Sequence, residues 1–151
     1  MADIKSSAKH IFVTFGTEEF KPDVERICKE AGTTGLFQTI LGADFDWMKS
    51  NCFDWYETHK TWIQDNKKGA GFWIWKPKLV LQILESSKPG SVVVYCDSGC
   101  KIFAENSHKL EDWMKKVRND PLFGMMVFKN GFPEREYSKR DLLKTLSYPD
   151  S

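Results

Sequence analysis

Two residues of opposite charge stand at places where a chain can present them for chemistry. Lys76 follows Gly69-Ala70-Gly71-Phe72-Trp73-Ile74-Trp75 and precedes Pro77. That run reads as a glycine hinge, an aromatic cluster and a lysine at the mouth of a helix, since proline suits a first helical turn. Asp97 ends the apolar run Val92-Val93-Val94-Tyr95-Cys96 and begins the turn Ser98-Gly99-Cys100. A carboxylate can hold a divalent metal, and the metal can hold phosphates. A cation beside helix amides can pair with a phosphate. The pattern therefore points to a nucleotide-diphosphate site at one edge of a parallel sheet. Bland readings stand beside it. A strand-ending aspartate also forms turns, a helix-start lysine also snorkels at surfaces, and Trp73 and Trp75 also serve cores.

The elements that would position these residues alternate in type. His10–Phe15 reads as a buried first strand, closed by Gly16. Thr17 then caps a helix carrying Phe20, Val24, Ile27, Cys28 and Ala31 on one face, and Gly32 ends it. Leu36–Leu41 reads as a second strand. Asp44–Asn66 is mostly helical in pattern, with Trp55, His59, Trp62 and Ile63 on one side, and 66–71 reads as a loop. Lys67 and Lys68 there are a solvated pair or a phosphate contact. Leu79, Val80, Ile83 and Leu84 mark the helix after Pro77. Val92–Cys96 is a continuous apolar strand, the mark of burial on both faces in a central position. Leu110, Trp113, Met114 and Val117 mark another helix, Met125–Phe128 a late strand, and Ser138 caps a final helix. Strands alternating with helices argue an α/β domain with right-handed crossovers.

Composition narrows the classes. At 151 residues the chain reads as one domain, 1–151. A net charge of +1 gives no field for nucleic acid. No apolar stretch reaches the length of a membrane span. Cys28, Cys52, Cys96 and Cys100 show no CxxC pairing, so they read as reduced thiols in a cytoplasmic protein. The aromatic share of 14% suits either a ring-lined pocket or a bulky core.

Four blocks occur in a recognisable order. They are 12–16 (Phe-Val-Thr-Phe-Gly), 71–77 (Gly-Phe-Trp-Ile-Trp-Lys-Pro), 94–100 (Val-Tyr-Cys-Asp-Ser-Gly-Cys) and 137–142 (Tyr-Ser-Lys-Arg-Asp-Leu). In this the chain resembles a glycosyltransferase family of bacterial polysaccharide clusters and large algal DNA viruses. The resemblance implies a GT-A-like nucleotide-diphospho-sugar transferase fold, a three-layer α/β/α domain around a mostly parallel, Rossmann-like sheet. It implies transfer of a sugar from a nucleotide donor, a UDP-sugar first, to a glycan or glycoprotein acceptor. Thr14, Phe15 and Gly16 would close the first strand against base and ribose. Trp73 and Lys76 would flank the nucleotide. Asp97, with Ser98 and Gly99, would stand in the Asp-x-Asp position that binds Mn²⁺ or Mg²⁺ and the diphosphate. The location would be cytoplasmic, in the host cell if the protein is viral.

Two departures qualify this. Position 99 is Gly, so one carboxylate stands at that turn instead of two. Domains of the resembled kind also run considerably longer, so the resemblance implies a C-terminally truncated, short or half-length version. No catalytic base is assignable: Glu134, Glu136 and Asp141 also read as surface carboxylates. The competing expectation is a non-catalytic nucleotide- or glycan-binding module, or a protein-interaction module keeping the fold.

Overall fold

The computed structural model describes residues 8–126, 128, 131, 138 and 140–147. The first strand, β1 (His10–Phe15), is buried along nearly its whole length and, among the described residues, lies at the centre of a three-stranded sheet ordered β2-β1-β3. Both neighbours run parallel to it. Ile11 to Phe15 pair with Thr39 to Ala43 of β2 (Thr39–Ala43), and His10 to Val13 pair with Val92 to Tyr95 of β3 (Val92–Tyr95). The fold is therefore mixed α/β, with a parallel sheet as the alternation of elements predicts.

Period-two alternation sends the side chains of β1 to opposite layers. Ile11, Val13 and Phe15 pack with Ala43, Met48, Trp75, Leu79 and Ile83 in one core. Phe12 packs with Ile27 and Ala31 in the other. Helix α1 (Lys21–Thr33) covers the second face. Helices α2 (Phe45–Asn51) and α5 (Trp75–Ser86) cover the first. Between them run α3 (Phe53–Asp65) and a single turn, α4 (Gly69–Phe72). Helices α6 (Ser107–Asn119) and α7 (Arg140–Thr145) follow β3.

Several boundaries differ from expectation for local reasons. The helix expected from Thr17 opens as a 3-10 turn, Glu18–Phe20, and α1 starts only at Lys21. Pro22 has no N–H to donate to Glu18, so an α-ladder cannot pass through it. Phe20 is thereby turned off the core face and is half exposed. Strand β2 lies three residues later than expected. Residue 38 is tied instead to the start of β1 by a side-chain-closed pair of bonds: the Gln38 amide donates to the His10 carbonyl at 3.0 Å, and the His10 amide donates to Gln38 Oε1 at 2.7 Å. The helical stretch after Asp44 breaks at Cys52, whose φ of −136° is not helical.

Strand β3 is an edge strand among the described residues, not the central one expected. Only Val92 in it is buried. The expected late strand over 125–128 is not found: Met125, Met126 and Phe128 lie in no strand, and residue 127 lies outside the described residues. Glu134, Glu136, Tyr137 and Lys139 also lie outside them. No described helix is long and apolar enough to cross a membrane.

Candidate functional site

The chain leaves β1 toward β2 on one side and reaches β3 on the other. The crevice between the carboxyl ends of β1 and β3 is therefore a topological switch point, where open α/β sheets bind ligands. A cavity of about 310 Å³ occupies this place. Its floor is Phe15 and Gly16 at the end of β1. One wall is Thr17, Glu19 and Phe20, and the opposite wall is Lys67, Gly69, Ala70, Trp73 and Trp75. Asp97 and Ser98, after β3, complete the rim.

The α4 wall has an unusual backbone. The last three residues of the expected loop, 66–71, open a left-handed turn that runs on through Phe72 and Trp73: all five residues from Gly69 to Trp73 have positive φ. Each non-glycine in that conformation costs about 1–2 kcal/mol, and Ala70, Phe72 and Trp73 all adopt it. The turn is secured by its carbonyls. Gly69 O accepts from the Trp73 amide at 3.0 Å and from Trp75 Nε1 at 3.1 Å. Gly71 O accepts from Trp62 Nε1 at 3.4 Å. A Cβ at position 69 would lie 2.4 Å from the Trp73 ring, so glycine lets that indole fold over the turn and onto the cavity. Trp75, by contrast, is buried and stacks on Phe15 with centroids 3.8 Å apart.

Lys76, in the first turn of α5, reaches Asp97 Oδ1 at 2.8 Å. The Tyr95 hydroxyl donates to the same oxygen at 2.7 Å. The ammonium also lies 5.2 Å from the centre of the Tyr95 ring. Partial burial pushes the Asp97 carboxyl up. The hydrogen bonds from Lys76 and Tyr95, with the lysine's charge, outweigh this and hold it below the ordinary carboxylate value. Burial, with Asp97 adding, pushes the Tyr95 phenol up, so it is a donor at neutral pH.

The turn carrying Asp97 is anchored from α1. Arg26 donates to the carbonyls of Ser98 at 2.7 Å and Cys100 at 3.0 Å. It also pairs with Glu30 at 2.9 Å, and the other oxygen of Glu30 accepts from the Ile102 amide at 2.9 Å.

Phe15, Gly16, Trp73, Asp97 and Ser98, all singled out in the sequence, thus meet at one cavity, with Lys76 tied to it through Asp97. Thr14 and Gly99 do not line it. Thr14 is fully buried, on the face of β1 turned toward α1, and Gly99 is exposed on the outside of its turn. Glu19, Phe20 and Tyr95 had no chemical role in the sequence reading, and Arg26 none at all. Only Tyr95 left a signal, because residues 95 and 97 fall on one side of an extended segment. Burial first, then Cys100 and Asp97, raise the Cys96 thiol to about 11, so it is not a thiolate nucleophile at neutral pH. His59 stacks on Trp55 at 4.5 Å, away from this cavity.

As a metal site the carboxylates are few. Among the described residues no three His, Cys, Asp or Glu side chains gather. Asp97 and Glu19 are the acidic side chains on the cavity, and Lys76 and Tyr95 both bond Oδ1 of Asp97, not Oδ2. That set fits an ion held by one carboxylate and chiefly by substrate phosphates, the usual manner of Mg²⁺. Comparison of the chain with protein-family models, with curated proteins and with solved structures finds no match in any of the three.

Proposed function

We propose that the switch-point cavity binds a nucleoside diphosphate sugar and that the protein is a glycosyltransferase of GT-A-like fold. The observation that carries this is the cavity's place and lining together: a parallel-sheet switch point that joins an aromatic surface, Trp73 and Phe20, to Lys67, Lys76 and Asp97. A base or sugar ring would lie against the aromatic wall, and the diphosphate would lie toward the lysines. Asp97 would hold Mn²⁺ or Mg²⁺, which when bound neutralises charge on the departing diphosphate. In the transfer, the bond from the anomeric carbon to the diphosphate oxygen breaks and its electron pair leaves with the nucleotide. An acceptor hydroxyl oxygen bonds to that carbon. Its proton passes to water or to Glu19, the other carboxylate lining the cavity.

A non-catalytic nucleotide-binding module is the second reading, favoured by the few carboxylates at the site. Calorimetric titration with UDP, with and without Mn²⁺, tests the shared part. The expected result is saturable binding that needs the metal and falls at least about tenfold in Asp97→Ala and Asp97→Asn. Unchanged affinity in both variants, with the fold intact, removes the assignment. Release of free UDP from a UDP-sugar then separates enzyme from binding module.

A further inference from the structure

Asp97 is a carboxylate already in use. Its Oδ1 takes two donors, Lys76 Nζ at 2.8 Å and the Tyr95 hydroxyl at 2.7 Å. Lys76 is not a freely waving side chain. Its backbone amide bonds the Trp73 carbonyl at 3.0 Å, and its ammonium lies over the faces of Tyr95 and Trp75, at 5.2 and 6.0 Å from their centres. Trp75 is fixed in turn by the buried stack on Phe15. The lysine therefore stands over Asp97 from a rigid base, with a flexible stem as its one freedom.

We infer that Lys76 is an electrostatic latch on Asp97, released only when a cation and a diphosphate arrive together. The inference rests on the nucleotide-sugar reading above and specifies how that site is regulated. A divalent cation alone must approach a carboxylate whose charge is cancelled by an ammonium, and it meets that ammonium's repulsion. A diphosphate alone meets a lysine already paired with a carboxylate. When both arrive, partners are exchanged without leaving a charge unpaired. Lys76 turns from Asp97 to the phosphates, and Asp97 turns from Lys76 to the cation. Tyr95 stays on Oδ1 and keeps the carboxylate oriented. Cation and diphosphate then bind with positive coupling, and the coupling is reciprocal.

The test is titration of Mn²⁺ alone, UDP alone, and Mn²⁺ in saturating UDP, into the wild-type chain, Lys76→Met and Lys76→Arg. In the wild type, UDP should tighten Mn²⁺ by a factor within the usual range of about 5- to 150-fold. Lys76→Met should bind Mn²⁺ alone about tenfold more tightly than wild type and lose most of the coupling. Lys76→Arg, which keeps the ion pair, should behave like wild type. Equal affinity for Mn²⁺ alone in wild type and Lys76→Met overturns the latch, even where UDP and Mn²⁺ bind through Asp97. Tighter Mn²⁺ in Lys76→Met, with UDP bound by none of the proteins, keeps Lys76 as the barrier to the cation and removes the nucleotide reading instead.

Discussion

Thr14 and Phe15 are adjacent on β1, and the pleat separates their roles. Phe15 reaches the cavity floor and the stack with Trp75. Thr14 is fully buried, and its hydroxyl has no hydrogen-bond partner. Burying a hydroxyl without a partner costs roughly 1–3 kcal/mol. Valine has nearly the same shape and a higher preference for strands. Thr14→Val should therefore raise the unfolding free energy by about 1 kcal/mol, read from denaturant midpoints at unchanged slope. A fall in stability would show that the hydroxyl is satisfied. At this scale the sequence was informative about type and less so about pairing. Lys76 and Asp97 stood out by their neighbours, but their ion pair is a contact through space between α5 and the end of β3. The aromatic run announced rings without saying that Trp73 is half exposed over the cavity while Trp75 is buried in the core beneath the same wall.

Among the elements, α4 departs furthest from its local signals. Gly69-Ala70-Gly71 is legible as a hinge, yet Phe72 and Trp73 are residues that avoid positive φ. Tertiary contacts override that preference: two indole N–H groups, from Trp62 and Trp75, hold the carbonyls of the turn. Strain of this kind gathers at functional sites, and here the turn forms a wall of the cavity. Ala70 has φ of 48°, which glycine adopts freely. Ala70→Gly is expected to stabilise the fold by about 0.5–1 kcal/mol, measured by chemical denaturation. A loss of stability would show that the Ala70 methyl contributes more in packing than its backbone costs. The late start of β2 has a similar origin. The apolar pair Leu36-Phe37 looks like strand, but Phe37 is drawn onto Phe12 at 5.4 Å and the ladder begins two residues later.

For the molecule as a whole, alternation of strands and helices made the α/β class and the parallel sheet legible. The strand order was not. Apolar runs alone do not tell a central strand from an edge strand covered by helices, and among the described residues β1 and not β3 is central. Arg26 and Glu30 were equally hidden, because a charged pair on an amphipathic helix usually faces solvent. Here the pair ties α1 to a turn more than seventy residues away. The Glu30 carboxyl lies below its ordinary value because of the Ile102 amide and then Arg26. A depressed carboxyl contributes stability that is complete above its unfolded value, near pH 4, and is lost as pH falls through the folded value. Acidification below about pH 4 should therefore weaken the wild type more steeply than Glu30→Gln. Denaturation curves between about pH 3 and pH 7 would show it, and parallel curves would contradict it.

The place of β1 between its two neighbours has a practical side. The walls of the cavity come from the segments after β1, before α5 and after β3. Lys9 and Ser91, joined by a hydrogen bond at the far end of the same ladder, are 82 residues apart in the chain. Until that long loop closes, the walls are strangers to one another. Any molecule that lodges among them acts as a rivet through distant stretches of polypeptide, and mass action then turns its affinity into resistance to heat. An occupant can thus be sought by melting the protein against a shelf of compounds, with no assay of turnover.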